Sequence, residues 1–400
     1  MKKAISILMI LLFGGCSPKP NFSLLIQTLD KAVQQNYYFY TDGPAFTKDN
    51  YIAALNAISK EQVSSNDPAS DLIKKLDAFY KEDPTILRHA LNALLKTDDK
   101  RRNYYIDKET ANRLEDRSLD GGAGIVLFRE AIGRYRIVDV LEGSAAHLAQ
   151  IPALQMLEKI DNQPVNDLEL EDVVALIRGK AGTSITLTVN SKDYSLVRGA
   201  FSAPMIRKSE WNLNNKRILY IEMRSAAKGA ARELEAILMK SSNPDSLVLD
   251  LRKLNMGDFD ESFTIADLFL GAGTMGLIRK KAVAARPMSA DANVIYSGKT
   301  YVLVSNQTSP HVKTIAMALR QSNQVQFIGP DMTLIAYAGN KIPIQQQGYA
   351  VIIDAVIEPA EDQPRQLSPE ITTDDYVPVN PPPSVPDPAD PAHAALLRQF

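Results

Sequence analysis

Apolar residues recur at spacings of three and four through residues 23–118, in FSLLIQTLDKAVQQ and again in DLIKKLDAFY, the period of helices that bury one face. Asp67-Pro68 and Asp83-Pro84 punctuate this stretch as helix starts or turns. The adjacent rings of Tyr37, Tyr38, Phe39 and Tyr40 are expected to pack between those helices. From Gly121 the pattern changes. AGIVLF, YRIVDVL and SITLTV are β-branched runs of strand length. Between them, LELEDVVALIRG sets Leu168, Leu170, Val173, Val174 and Ile177 near one face of a helix over 168–178. Residues 200–378 then alternate strand-like and helix-like runs: RILYIEM, ARELEAILMK, DSLVLDLR, SFTIADLFL, TYVLVS, VKTIAMALRQ, QVQFIGP. That order predicts an α/β core. From Pro378, PVNPPPSVPDPADP holds seven prolines in fourteen residues and reads as an extended strap, closed by the short apolar run AHAALLRQF.

Four hundred residues exceed one typical core and predict two or three domains. A net charge of −2 with no Lys/Arg stripe argues against nucleic acid as a partner. The first sixteen residues, MKKAISILMILLFGGC, change the picture more. Lys2 and Lys3 precede an apolar run from Ala4 to Phe13, too short to cross a bilayer as a helix, and Gly14-Gly15 offers a small-residue cleavage site. Residues 1–15 therefore read as an export signal. Cys16, the single cysteine, follows at once, which resembles the lipobox of bacterial lipoproteins, although Phe13 stands where that motif more often has Leu. On that resemblance Cys16 carries the lipid, residues 16–22 form a tether, and Ser17 favours sorting to the outer membrane. Loss of Lys2 and Lys3 leaves 43 basic against 47 acidic residues, or −4. The mature chain is then held to a bacterial envelope membrane by its lipid alone and faces the periplasm.

Short strands around one late helix, over residues 119–199, resemble a PDZ domain. GGAGIVL fits that family's carboxylate loop and strand, VLEGSAAHLAQ its central turn, LEKIDNQPV the next hairpin, and LIRGKAGTSITLTV the helix end and last strand. The resemblance implies capture of an extended C-terminal peptide as an added strand. Gly122, Ala123, Gly124, Ile125 and Val126 would supply the loop and strand, Val173 and Ile177 the helix. Glycine at 122 and 124 permits the tight loop. Where the family often has AG-x-x-x-GD this chain reads AQIPALQ, so Gln150, Leu154 and Gln155 replace Gly, Gly and Asp, and an altered loop is expected.

A helical region (23–118), a PDZ-like domain (119–199), an α/β core (200–378, ClpP/crotonase-like) and a tail (379–400) together resemble the C-terminal processing, or tail-specific, serine proteases. The expected fold class is α+β multidomain. VLDLRKLNMGDFDESFTIADLFL lies without gaps on the family's LDLR-N-N-P-G-G segment and the helix after it. YIEMRSAAKGAARELEAIL resembles the strand and helix before it. Such enzymes use a Ser–Lys dyad, in which a neutral lysine takes the hydroxyl proton and backbone N–H groups hold the oxyanion. The family's turn G-S-A-S-A-S-E, laid on VSNQTSPHVKTIAMAL, puts Pro310 at the nucleophile position. G-E-K-T-F-G-K-G, laid on GPDMTLIA, puts Ile335 at the lysine, and Gly339 at the glutamine that supports it. In the oxyanion segment Asn255, Met256 and Gly257 replace P-G-G. Proline has no hydroxyl and isoleucine no amine, so no catalytic residue is expected.

Ser309 and Lys341 are the fallback pair. Ser309-Pro310 ahead of HVKTIAMALRQ also reads as an N-cap and first helical residue. Lys313, one turn in, is expected to point to solvent, and His311 to lie at the surface or helix end, without metal-ligand spacing. SGKT at 297–300 lacks the upstream glycine of a P-loop and precedes a strand, so it is not a phosphate site. The expected role is binding: capture of peptide or protein C-termini as adaptor or regulator, or pairing with an active envelope protease or cell-wall enzyme, with no cofactor. The alternatives are an active serine-type envelope endopeptidase with a relocated nucleophile, and a structural envelope-assembly protein.

Overall fold

The computed structural model describes residues 21–59, 66–96, 103–129, 134–166, 168–200, 204–241, 243–305, 309–374 and 385–400. The export signal, Cys16 and residues 375–384 of the proline-rich stretch lie outside them. Over the described residues the chain is a mixed α+β protein of several units.

The first periodic stretch forms helices Phe22–Asn36, Lys48–Ile58, Ala69–Glu82 and Leu87–Leu95. Polar side chains fix their starts. Asn21 accepts from the Leu24 N–H at 2.7 Å, and Thr47 with Asn50 forms a reciprocal capping box. Leu25, Leu29, Leu55, Leu72, Leu76 and Leu91 are fully buried between these helices. The helices do not close their core alone. Strand Tyr104–Asp107 pairs antiparallel with Gly348–Glu358, and Tyr105, Ala350 and Ile352 complete the same core. The Tyr105 hydroxyl donates to the Gln347 carbonyl at 2.6 Å. The N-terminal region is therefore fastened to a strand near the far end of the chain.

The middle unit is an antiparallel sheet in the order Ile125–Arg129, Tyr135–Val140, Met156–Ile160, Ser184–Val189, Lys192–Val197. The single long helix, Leu170–Ile177, packs on it. Alternation puts Tyr135, Ile137, Ile185 and Leu187 on the covered face, and a register shift between Leu157 and Lys159 lets Leu157 and Ile160 join them, all essentially buried. Ile125–Arg129 is the edge strand.

The last unit is built on a six-stranded sheet: Ile371–Thr372, Val325–Gly329, Thr300–Leu303, Ser246–Asp250, Lys216–Met223, Ile206–Leu213. All neighbours are parallel except the last pair. Ser246–Asp250 and Thr300–Leu303 are buried along their whole length, as parallel strands covered on both faces must be. Helices Ala230–Lys240, Phe259–Asp267 and Pro310–Leu319 cover one face. The apolar run after the prolines forms helix Pro391–Leu397, which covers the other, placing Ala392, Ala395 and Leu396 against Trp211, Tyr220, Val248 and Tyr301.

Buried charge pins this tail helix. Arg252 binds Asp250 at 2.7 Å and Asp390, the helix N-cap, at 2.9 Å. His393 stands edge-on to Trp211 and Tyr220, with Nδ1 accepting from the Asp387 N–H at 3.2 Å and Nε2 3.4 Å from Arg252. Burial lowers the His393 pKa, helped by Arg252 and opposed by Asp390, Asp250 and Asp387. A docked His393 thus refuses a proton that the undocked chain accepts near pH 6.5, so docking weakens as pH falls below that value. Proteolytic nicking within residues 385–400 is expected to quicken between pH 7 and pH 5.5, and His393→Asn to flatten that dependence.

Candidate functional site

Helix Pro310–Leu319 begins where the sequence places a nucleophile turn. Ser309 is its N-cap, with extended backbone and a side chain that accepts from the Val312 N–H at 3.4 Å. Pro310 takes the first helical position and is exposed. The three residues before Ser309 lie outside those described.

His311 lies at the helix end as expected, and Lys313 differs from expectation. His311 is half-buried against Phe259, ring centroids 4.9 Å apart, with Nδ1 3.2 Å from the Ser262 hydroxyl. Burial lowers its pKa, with Asp258 pulling the other way. The pair resembles a base and a nucleophile, but the hydrogens run the wrong way. Ser262 donates its own hydrogen to the Asp258 carbonyl at 2.7 Å, so the imidazole donates Nδ1–H to it and the serine is not activated. Ser262 is also fully buried. Lys313 does not point to solvent. Half-buried, it swings back so that Nζ donates to the Ile335 carbonyl at 3.4 Å. A cation thus reaches the position where the family alignment expects a lysine side chain, but it comes from the helix. Sequence reasoning missed this because residues 313 and 335 become neighbours only when helix and strand pack.

Lys341 is exposed in strand Ala336–Pro343, opposite Val351. Six extended residues from Ile335 to Lys341 span roughly 20 Å, so the fallback partner lies far from the helix start. Gly339 is in the same strand, tight against Val351 and offering no side chain. Met256 and Gly257 form a two-residue parallel pairing with Ser225 and Ala226. Met256 is 61% exposed. A Cβ on Gly257 would come 2.6 Å from the Cβ of Ala226.

In the middle unit, residues 121–125 turn beside the edge strand. Gly121 and Gly122 are held by paired backbone bonds to Gly179 and Gly199. Among the described residues no acceptor meets the N–H of Ala123 or Gly124. Gly124 has φ +83, and a Cβ there would lie 2.0 Å from the Cβ of Ser144. Val173 and Ile177 form a buried floor with Ile125 and Leu127 packed on it. Val126 faces elsewhere, lining a cavity of about 40 Å³ with Phe128, Val138, Asp139 and residues 252–255 of the last unit. Gln150 and Leu154, which replace two glycines, adopt φ +55 and +64, the left-handed conformation glycine would take. Such a residue costs about 1–2 kcal/mol. Gln150 is exposed, so Gln150→Gly is expected to raise stability by roughly 0.5–1 kcal/mol in urea unfolding.

Four buried charges join the middle and last units. Arg224 pairs with Asp139 of the middle sheet and lies 3.8 Å from Glu222. Lys253, two residues before Asn255, reaches Glu222 at 3.2 Å and Asp139 at 4.0 Å. All four are less than one-tenth exposed. Burial raises the pKa of both carboxyls, opposed by Lys253 and Arg224. The sequence holds a trace of this cluster: Glu222 interrupts an otherwise apolar strand.

Comparison with known proteins finds a peptidase family over part of the chain. Residues 217–354 match the model of Peptidase family S41. Carboxy-terminal processing protease CtpA of Bacillus subtilis (strain 168) is 26% identical over 288 residues, covering 68% of this chain and 61% of that protein. The carboxy-terminal-processing protease of Bartonella bacilliformis is 23% identical over 300 residues, covering 70% and 67%. The matches thus span about three fifths to two thirds of these relatives. The solved photosystem II D1 C-terminal processing protease superposes with a TM-score of 0.64 at 16% identity, over 89% of this chain and 93% of that one, which is a likeness of fold. Residues 217–354 thus carry the signature of Peptidase family S41, and the chain is similar to C-terminal processing proteases over about two thirds of its length.

Proposed function

We propose that this chain is a catalytically silent member of its family, lipid-anchored through Cys16 in a bacterial envelope and facing the periplasm, which captures peptide or protein C-termini as an adaptor or regulator. The observation that carries the reading is the start of helix Pro310–Leu319. An exposed proline stands where the motif alignment sets the nucleophile, and Ser309 beside it is occupied as a helix cap. Ser262 is buried with its hydrogen committed elsewhere. Lys341 is exposed on strand Ala336–Pro343, six residues beyond the Ile335 carbonyl that Lys313 reaches.

The binding half of the family's plan supports the positive role. The middle unit has an antiparallel sheet with one long helix packed on it, a glycine-bounded loop with two available N–H groups, and an edge strand beside that helix, which suits a PDZ-like groove. A C-terminal carboxylate would accept from Ala123 and Gly124 N–H while the peptide backbone extends the sheet. Partners would then be recognised by a free C-terminus, and an active envelope protease or cell-wall enzyme is one such partner. Fluorescent peptides with free or amidated C-termini test this by anisotropy. Binding that needs the free carboxylate supports capture; equal binding of both forms contradicts it. A relocated dyad is the second reading, favoured by one contact, Lys313 with the Ile335 carbonyl.

A further inference from the structure

The first helix leaves one stripe outside its core. Leu24, 46% exposed, and Lys31 border a shallow groove of about 250 Å³ whose far wall includes Ile342. Beyond the end of the helix stands Phe39, 43% exposed, edge-on to Tyr38 at 5.1 Å and tilted against Tyr337 at 5.9 Å. Tyr337 and Ile342 are an odd number of residues apart. The register shift at Ala338/Gly339 nevertheless lets both pack toward the N-terminal helices. Lys281 closes this end, donating to the Gln34 carbonyl and lying 4.1 Å over the Tyr40 ring. Val283, two residues on, is 65% exposed.

Single exposed apolar residues are ordinary. These lie on the first helix, in the turn that follows it, on strand Ala336–Pro343 and in the turn after strand Thr274–Lys280, and they join rings, aliphatic tips and lysines, the composition of a membrane interface. The cations on or beside the stripe are Lys31, Lys280 and Lys281. Lys280 pairs with Asp354 at 3.3 Å. The nearby acids are Asp42 and Asp30, and Asp30 accepts from Gln34 and from the Ala45 N–H. Chain reach decides the occupant. Asn21 is five residue steps from Cys16, a span of at most about 18 Å, so a lipid on Cys16 holds the start of this helix close to the bilayer.

Resting on the lipid-anchored reading above, we propose that this stripe lies on an anionic bilayer surface. Phe39, Tyr38, Tyr40 and Val283 enter the boundary between headgroups and acyl chains, and Lys31 and Lys281 meet anionic headgroups. The protein is then oriented on the membrane rather than swinging on its tether.

The chain has a single tryptophan, Trp211, buried in the last unit, which makes a clean test possible. The full mature chain carrying Phe39→Trp, isolated from membranes and with its lipid confirmed by mass, is reconstituted in phosphatidylethanolamine–phosphatidylglycerol vesicles containing brominated lipid. The expected result is strong quenching of the introduced indole, none of Trp211 in the parent, and about fivefold weaker vesicle binding for the non-lipidated Lys281→Gln chain than for the non-lipidated parent. A lipidated Phe39→Trp chain that floats with vesicles while the emission of the introduced indole is unchanged overturns the proposal and leaves the anchor intact. A chain without lipid refutes the anchor instead. The stripe then stands only if that chain still floats with anionic vesicles and loses flotation on Phe39→Asp. Shielding of the introduced indole without vesicles, in step with dimer formation, assigns the stripe to a second copy and overturns the proposal.

Discussion

Replacing Lys253 by methionine is expected to lower the unfolding free energy by about 3–5 kcal/mol at pH 7, the cost of breaking a buried ion pair from one side. Two carboxylates and two cations balance between the units. Without Lys253, Glu222 keeps Arg224 at only 3.8 Å, and burial already raises its pKa. The variant's Glu222 is therefore expected to take up a proton on folding. A raised carboxyl binds more protons folded than unfolded above about pH 4.3. The variant should accordingly regain stability as pH falls from 7 toward 4.3, over which range the parent changes less. Adding Glu222→Leu removes the stranded charge and should recover most of the loss, since apolar replacement of a buried pair is often neutral. Urea unfolding of the three chains measures this. A single variant within 1 kcal/mol of the parent would show that the cluster is solvated and does not bind the units together.

Gly124→Ala is expected to remove peptide capture and to destabilise the middle unit by at least about 3 kcal/mol. The left-handed backbone costs about 1–2 kcal/mol for a residue with a Cβ. The overlap with Ser144 adds to it, because Ser144 cannot retreat freely. Its side chain caps the short helix Ala145–Leu148 by accepting from the His147 N–H at 3.2 Å, and its hydroxyl faces the Gly124 carbonyl at 3.3 Å. Loop, turn and helix start therefore move together. Gly143→Ala provides the control: it also has positive φ, but a Cβ there meets nothing within 4 Å. It should cost only the backbone term and leave free-carboxylate peptides bound. Equal peptide affinity for Gly124→Ala and the parent would place the binding site elsewhere.

Much of this architecture is legible in the chain because local pattern and tertiary burial agree. RILYIEM, DSLVLDLR and TYVLVS are strands because a sheet covered on both faces requires continuous apolar runs, and VKTIAMALRQ is a helix whose start is announced by Ser-Pro. Strand Tyr104–Asp107 was hidden in a helical neighbourhood because its partner is Gly348–Glu358, and no local signal reports a distant pairing. The glycine replacements at 150 and 154 read as an altered loop. Both adopt left-handed backbone at a steric cost that the surrounding hydrogen bonds, such as Leu154 N–H to the Ile137 carbonyl, sustain. Lys313 looked like a solvent-facing helical lysine, since its position relative to Ile335 depends on packing that spacing does not encode. The expectation that Pro310 and Ile335 take the nucleophile and lysine positions rests, by contrast, on the alignment of two short motifs alone.

Proteolysis of an unfolded substrate by purified residues 17–400 tests the central claim most directly, run beside Ser309→Ala, Lys313→Ala and Lys341→Ala. The account predicts no cleavage by any of the four chains, with the parent still binding free C-terminal peptides. Cleavage by the parent that disappears with Ser309→Ala and with either lysine variant would mean that a dyad persists at the start of helix Pro310–Leu319, and would contradict it.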